Sequence, residues 1–184
     1  MMSKLRCLAA ILLGAVSISA VQAQDFRPVT DAMLKKPDAA DWLMLNRTYD
    51  EQRFSPLNQI NIKNVHQMQL AFVRGLPPGT NESTPIVHDG VMYVIAPGAS
   101  IQAINAINGD LIWEYFRDYP KDMEKFIGSP NFSRSKSLAI YQDMIFFTAP
   151  DGYIVAIDAK KGTLRWETKV QDFKDKTQHT GGLI

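Results

Sequence analysis

The chain has 184 residues, with 20 Lys and Arg, 19 Asp and Glu, and an apolar fraction of 46%. This composition is typical of a globular protein, and the near-zero charge does not favour nucleic acid or an anionic membrane surface as a partner. The single cysteine, Cys7, lies close to the start, so we expect neither disulfide nor thiolate chemistry in the rest of the chain.

Residues 1–23 have the pattern of a secretory leader. Lys4 and Arg6 precede an apolar run at 8–20 that is too short to span a bilayer comfortably, and a small-x-small cleavage site ends at Ala23. An uncleaved anchor is the alternative interpretation. Cleavage predicts an exported protein that is not integral to the membrane, with 18 basic and 19 acidic residues and a net charge of −1.

The mature chain, residues 24–184, begins with segments of low regularity. Residues 24–41 are polar and carry turn and cap signals, whereas residues 42–57 are dense in aromatic and charged side chains without a clear period. A short turn or helical piece is expected at 60–65. Residues 70–75 are predicted as a strand, interpreted as the outer strand of a blade whose other strands lie elsewhere in the protein.

One stretch of the chain occurs twice. Residues 85–114 and 138–167 align without a gap at an offset of 53, and ten positions are identical, among them the pairs Ala103/Ala156, Gly109/Gly162 and Trp113/Trp166. Self-similarity at a fixed spacing is the signature of a repeat architecture.

Each copy contains four short runs that favour β-strands. They are rich in Val, Ile, Tyr and Phe and are separated by Asp-Gly, Pro-Gly, Asn-Gly or Lys-Gly turns. Each copy is therefore predicted to be a four-stranded antiparallel meander. The runs are 85–88, 91–95, 100–105 and 111–115 in the first copy, and 138–141, 144–148, 153–158 and 164–169 in the second.

A single meander cannot bury both of its faces, so each needs a similar neighbour, as in a β-propeller. A Trp ten residues after a small Ala, across a glycine turn, could place its ring over the next blade. Two complete blades are fewer than the ~4–8 that close a propeller. We therefore expect the chain to be the front part of a longer protein, ending within the first strand of a third unit.

Motifs for other chemistries are absent from the sequence. There is no glycine-rich phosphate loop, Cys-x-x-Cys, His-Glu-x-x-His or Gly-x-Ser-x-Gly. The histidines His66, His88 and His179 are scattered, and His88, on a predicted strand, is interpreted as a packing or surface residue. The long segment 117–136 between the repeats is where function is most expected, because binding residues concentrate on loops of a rigid scaffold.

Two features together resemble a known family. Residues 46–57, followed by Ile-Asn at 60–61 and Asn-Val at 64–65, look like the first segment of the quinoprotein alcohol dehydrogenases, the methanol and ethanol dehydrogenase family. The two Ala-x-Asn/Asp-Ala-x-x-Gly-x-x-x-Trp motifs, at 103–113 and 156–166, resemble the tryptophan-docking repeats of that family. The resemblance covers residues 42–184.

The resemblance implies an all-β protein, an eight-bladed propeller of which this chain holds about two blades. It implies pyrroloquinoline quinone (PQQ) on the propeller axis beside a Ca²⁺ or lanthanide ion. The implied reaction oxidises alcohols to aldehydes or ketones and passes the electrons to a cytochrome c or a quinone.

Four positions are candidate cofactor-binding residues through this resemblance. Glu82 matches a glutamate that contacts the quinone; without the resemblance it would be interpreted as a solvated loop carboxylate. Lys136 falls where the family usually has an arginine near the reactive oxygens, and lysine lacks the guanidinium fork. Arg134 is the alternative counterpart of that arginine. Thr180 matches a threonine that hydrogen-bonds the cofactor.

The chain also departs from the family. Residues 128–133 lack the adjacent cysteine pair that many members have, and the metal ligands and catalytic aspartate are expected beyond Ile184. We therefore expect no turnover by the isolated chain. Two alternatives remain: a non-enzymatic propeller scaffold of the outer-membrane assembly type, which predicts a lipid-modified cysteine after the leader that is absent here, or an inactive truncated product with open strand edges.

Overall fold

The computed structural model describes residues 26–129, 136–176 and 181–183, and these form two four-stranded antiparallel sheets. Each sheet is a meander in which consecutive strands are neighbours, as the repeat predicts. The first sheet comprises β1 (Ile86–His88), β2 (Val91–Ala96), β3 (Ser100–Asn105) and β4 (Leu111–Tyr115). The second comprises β5 (Ala139–Tyr141), β6 (Met144–Ala149), β7 (Tyr153–Asp158) and β8 (Leu164–Lys169).

The helices of the described residues are short. They are α1 (Asp31–Lys35), α2 (Glu124–Ile127) and the 3₁₀ turns Val65–Gln67 and Phe173–Asp175. The rings of Phe126 and Phe173 pack edge to face, which joins α2 to the second 3₁₀ turn. None of these helices is long and apolar enough to cross a membrane. The predicted leader lies outside the described residues.

The two sheets repeat each other in local detail. The ladder between the third and fourth strands shifts register between Ala103 and Ile104 in one sheet and between Ala156 and Ile157 in the other, which are equivalent positions. The turn after Asp158 is held because its carboxylate accepts hydrogen bonds from the backbone of Lys160 and Lys161. The sequence repeat is therefore a structural repeat.

The sheets pack against each other through the fourth strand of the first. The Trp113 indole N–H donates to the Ala159 carbonyl at 3.0 Å, and the Tyr93 hydroxyl donates to the same oxygen at 3.2 Å. The six-membered part of the Trp113 ring lies over Gly162 of the second sheet. One hydrophobic core therefore runs through both sheets, including Ile86, Tyr93, Ile101, Leu138, Ile145, Phe147 and Val155.

Tyr93 makes the stability of this interface depend on pH. Burial, and then the carboxylates of Asp89 and Asp158, raise the pKa of the Tyr93 hydroxyl above its ordinary value. The Tyr93 hydroxyl therefore stays protonated in the folded protein at pH values where it is already losing its proton in the unfolded chain. Its contribution to the free energy of unfolding is fully present below about pH 10 and falls as the pH rises further.

We expect Tyr93→Phe to lower the free energy of unfolding by about 1 kcal/mol at neutral pH. We also expect it to weaken the loss of stability between roughly pH 9 and 11, measured by urea unfolding at each pH. Tyr49→Phe, at a side chain that is 63% exposed, is the control and should leave the pH dependence unchanged. Equal pH dependence in the parent and Tyr93→Phe would contradict this prediction.

The strand predicted at 70–75 is wrong: these residues have no regular secondary structure and form no ladder with any described strand. A strand requires a partner for its N–H and C=O groups, and the described part of the chain offers none here. Side chains hold the segment instead. Phe72 lies over Gly109 as Trp113 lies over Gly162, and Arg74 donates to the Gln102 side chain at 3.0 Å. The interpretation as the outer element of a preceding blade is compatible with these contacts.

The segment before the repeats lies along the first strands of both sheets. Trp42 forms an antiparallel bridge with Val87 of β1, and Val29 forms one with Gln142 after β5. Leu43 is 1% exposed and belongs to the core. The segment 26–48 therefore forms one bridge with β1 and one with the turn after β5.

Candidate functional site

The two first strands begin side by side. Thr84 and Ser137, which directly precede the two copies of the repeat, form a parallel bridge, and the Thr84 N–H donates to the Lys136 carbonyl at 3.1 Å. This junction places Glu82 and Lys136 on adjacent segments at the same end of the sheets, and both side chains are exposed. Two of the four predicted cofactor-binding residues are thus brought together. Arg134 and Thr180 lie outside the described residues.

A local turn fixes the backbone that carries Glu82. The Asn81 side-chain carbonyl accepts a hydrogen bond from the Ser83 N–H at 3.0 Å, which forms an Asx turn around Glu82. The Ser83 hydroxyl lies 3.2 Å from the Ile95 carbonyl at the end of β2. Glu82 is therefore presented by a short turn that is tied to the first sheet.

A third segment reaches the same end. Gly182 packs so closely on Ser137 that a Cβ at this glycine would overlap the serine side chain. The Thr148 hydroxyl donates to the Gly181 carbonyl at 3.4 Å. We call this end the rim and define it as residues 82–84, 136–137 and 181–182.

The rim has polar groups suited to the expected quinone. Glu82 supplies a hydrogen-bond acceptor and Lys136 a cation. The Ser137 hydroxyl is buried and has no hydrogen-bond partner among the described residues. A quinone with carboxylate groups presents many acceptor oxygens, so the exposed cation of Lys136 fits it. The residues of the rim are thus chemically compatible with that cofactor.

A mainly apolar cavity of about 300 Å³ lies between the segment before the repeats and the start of the second sheet. Its apolar walls include Leu138 and Leu183, which directly follow rim residues in the chain, and Leu43, Leu45 and Tyr49 of the segment before the repeats. Its polar lining residues are Asn46, Thr48 and Glu51. Apolar walls with a few convergent polar groups at one side are typical of small-molecule sites, because the walls exclude water and the polar groups fix orientation.

A second polar cluster lies at the other end of β1 and was not predicted. The His88 ring is 1% exposed; its Nδ1 lies 3.1 Å from Asp41 and its Nε2 lies 2.7 Å from the Arg27 carbonyl. The Arg27 guanidinium pairs with Asp38 at 3.1 Å and Asp89 at 2.8 Å. Asp41, His88 and Asp89 could be considered as metal ligands. The Arg27 guanidinium already pairs with the carboxylates, and both nitrogens of the His88 ring have partners. We therefore interpret the cluster as a set of contacts that stabilises the fold, not as a metal site.

Comparisons with known proteins point to one family. The sequence profile of the PQQ family, described as "Glucose/ethanol/alcohol dehydrogenase, beta-propeller domain", matches residues 42–165. The dehydrogenase subunit of alcohol dehydrogenase (quinone) from Gluconobacter oxydans is 32% identical over 163 residues, which cover 88% of this chain and 21% of that protein. The quinohemoprotein alcohol dehydrogenase ADH-IIG from Pseudomonas putida is 36% identical over 146 residues, or 78% of this chain and 20% of that one.

Solved structures agree with the sequence comparisons. The structure of ADHIIG from Pseudomonas putida HK5 matches 78% of this chain and 21% of its own, with a TM-score of 0.65 and 32% identity. A europium-containing methanol dehydrogenase matches 77% of this chain and 25% of its own, with a TM-score of 0.66 and 28% identity. The chain spans about a fifth of the length of the curated relatives it matches, at 21% and 20%.

Proposed function

Because the chain belongs to the PQQ family of glucose/ethanol/alcohol dehydrogenase propeller domains, we propose that it supplies the quinone-binding rim of a PQQ-dependent alcohol dehydrogenase. The observation that carries the proposal is the Thr84–Ser137 bridge, which brings Glu82 and Lys136 to one end of the sheets.

The side chains of the rim have distinct roles in this proposal. When bound, the quinone accepts the two electrons that an alcohol releases on becoming an aldehyde or ketone. Lys136 would offset negative charge on the quinone oxygens, as a point charge rather than as a bidentate fork. Glu82 would accept a hydrogen bond from a donor group of the cofactor.

The remaining parts of the enzyme are proposed to lie outside the described residues. We place the metal ligands and the aspartate base beyond Ile184, with Ca²⁺ or a lanthanide as the ion; a europium-containing relative supports the second choice. The leader pattern at 1–23, with Lys4 and Arg6, supports a periplasmic location. Electrons would pass to a cytochrome c or a quinone, and one relative is named for the latter.

Titration of the full gene product with PQQ tests this proposal, with tryptophan fluorescence as the signal. Glu82→Gln and Lys136→Met are each expected to raise the Kd about tenfold, because each removes a charge-assisted contact of roughly 1.5 kcal/mol. Lys136→Arg should bind at least as tightly as the parent, since it restores the cation with a fork.

Matched charge-neutralising variants away from the rim serve as controls. Asp110→Asn, in the exposed turn between β3 and β4, and Lys63→Met, in the exposed segment before the repeats, should leave the Kd unchanged. A parent protein that does not bind PQQ would contradict the proposed function. If Glu82→Gln and Lys136→Met both leave the Kd for PQQ unchanged, the cofactor does not bind at the rim.

A further inference from the structure

The Asn81 side chain closes a ring of hydrogen bonds around Glu82. Its carbonyl oxygen accepts from the Ser83 N–H at 3.0 Å and from the Ser83 hydroxyl at 2.9 Å. An Asx turn of this kind uses a side chain in place of a backbone turn, and it restricts the backbone of the residue that it encloses. Glu82 is the enclosed residue, so Asn81 determines how the backbone presents the Glu82 side chain.

The turn is attached to the buried part of the first sheet and to the second sheet. The Ser83 hydroxyl lies 3.2 Å from the carbonyl oxygen of Ile95, a buried residue near the end of β2. The next residue, Thr84, donates through its N–H to the Lys136 carbonyl. The turn therefore holds the Glu82 backbone at a fixed place relative to Lys136.

These contacts of Asn81 order a loop and do not build the core. Asn81 is exposed, and both hydrogen bonds to its carbonyl come from a residue two positions further along the chain. The segment before it contains Pro77-Pro78-Gly79 and has no regular secondary structure. A loop that already has its bound conformation loses less entropy when a ligand binds, so ordering the loop raises affinity without any new contact to the ligand.

We propose that Asn81 is a positioning residue for the cofactor: its side-chain carbonyl holds Glu82 where the carboxylate accepts a hydrogen bond from PQQ. The inference rests on the proposed function and adds the residue that orients its hydrogen-bond acceptor. Asn81 acts through Glu82 and not by touching the quinone. Its contribution to binding therefore disappears when the Glu82 side chain is removed.

A double-mutant cycle in the full gene product tests this dependence. The Kd for PQQ is measured by tryptophan fluorescence for the parent, Asn81→Ala, Glu82→Ala and the double variant. Asn81→Ala is expected to raise the Kd about fivefold, because the loop must then be ordered on binding. In the Glu82→Ala background the same change is expected to alter the Kd by less than about twofold, whereas independent residues would show the full effect in both backgrounds. Asn81→Ser keeps an acceptor for a weaker turn and should recover part of the affinity.

Asn108→Ala is the matched control. The Asn108 side-chain carbonyl accepts from the Asp110 N–H at 3.1 Å, and the Asn108 amide donates to the Asp110 carboxylate at 2.7 Å, so this Asx turn has the same spacing. It lies between β3 and β4, at the end of the first sheet opposite to the rim. Both alanine variants are expected to lower the Tm of the cofactor-free protein slightly and to a similar extent, but Asn108→Ala should leave the Kd unchanged.

The outcomes separate the inference from the proposed function. If the parent binds PQQ and Glu82→Ala weakens binding, an Asn81→Ala variant with the Kd of the parent would overturn the inference alone. Equal effects of Asn81→Ala in the parent and in the Glu82→Ala background would also overturn it, because Asn81 would then not act through Glu82. A parent protein that does not bind PQQ would overturn the proposed function, and the inference with it.

Discussion

Replacement of Gly162 by alanine is expected to lower the free energy of unfolding by about 2–5 kcal/mol. Two independent costs add. Gly162 has a φ of +69°, a left-handed conformation that costs an L-residue about 1–2 kcal/mol. Its Cβ would lie 2.5 Å from Cε3 and 2.6 Å from Cδ2 of Trp113, and overpacking of this kind costs about 1–3 kcal/mol.

Gly90→Ala separates the two costs. Gly90 also has a positive φ, +75°, but a Cβ there would meet no atom within 4 Å. We therefore expect Gly90→Ala to lower the free energy of unfolding only by the cost of the backbone conformation, about 1–2 kcal/mol. Urea unfolding of the full gene product, followed by tryptophan fluorescence, measures both variants. Equal losses at the two glycines would mean that the contact between Trp113 and Gly162 does not stabilise the junction of the sheets.

Arg117→Met is expected to cost about 3–5 kcal/mol, because it leaves a buried carboxylate unpaired. The Arg117 guanidinium lies 2.8 Å from Asp151 and also pairs with Glu167, and the Arg117 and Asp151 side chains are only 9% and 4% exposed. Burial disfavours the cation, yet the hydrogen bonds to Asp151 and Glu167 outweigh it and raise the pKa of Arg117. This arginine follows the first sheet and its partners belong to the second, so the pairing holds the two sheets together.

Arg165→Met is the matched control within the second sheet. Arg165 pairs with Asp143 and Asp158, but its side chain is 43% exposed, so we expect a loss of about 0–1 kcal/mol. Adding Asp151→Asn to Arg117→Met should recover part of the larger loss, because it removes the unpaired charge. Thermal and urea unfolding measure all four proteins. A loss as small for Arg117→Met as for Arg165→Met would show that water reaches Asp151 and that the pair is not buried.

The sheets could be predicted from the sequence because their signals are local. Glycine turns such as Asp89-Gly90 and Asn108-Gly109 separate runs of β-forming residues, and each observed strand lies within one residue of a predicted run. The prediction of a strand at 70–75 was wrong because strand pairing is not a local signal. Its residues favour a strand, but a strand also needs a hydrogen-bonding partner, and local pattern does not supply one.

The rim could not be predicted from local pattern. Glu82 and Lys136 are far apart in the chain, and only a family resemblance placed them at one site before the Thr84–Ser137 bridge did so in three dimensions. The contact between the His88 ring and the Arg27 carbonyl was also missed, because the two residues are 61 positions apart in the chain.

The most direct measurement is a structure of the full gene product with PQQ bound. We predict an oxygen of the quinone within about 3 Å of the Lys136 Nζ, with Glu82 in hydrogen-bond contact with the cofactor. A quinone bound elsewhere, with no contact to the rim, would contradict the assignment of this end of the sheets as the cofactor site.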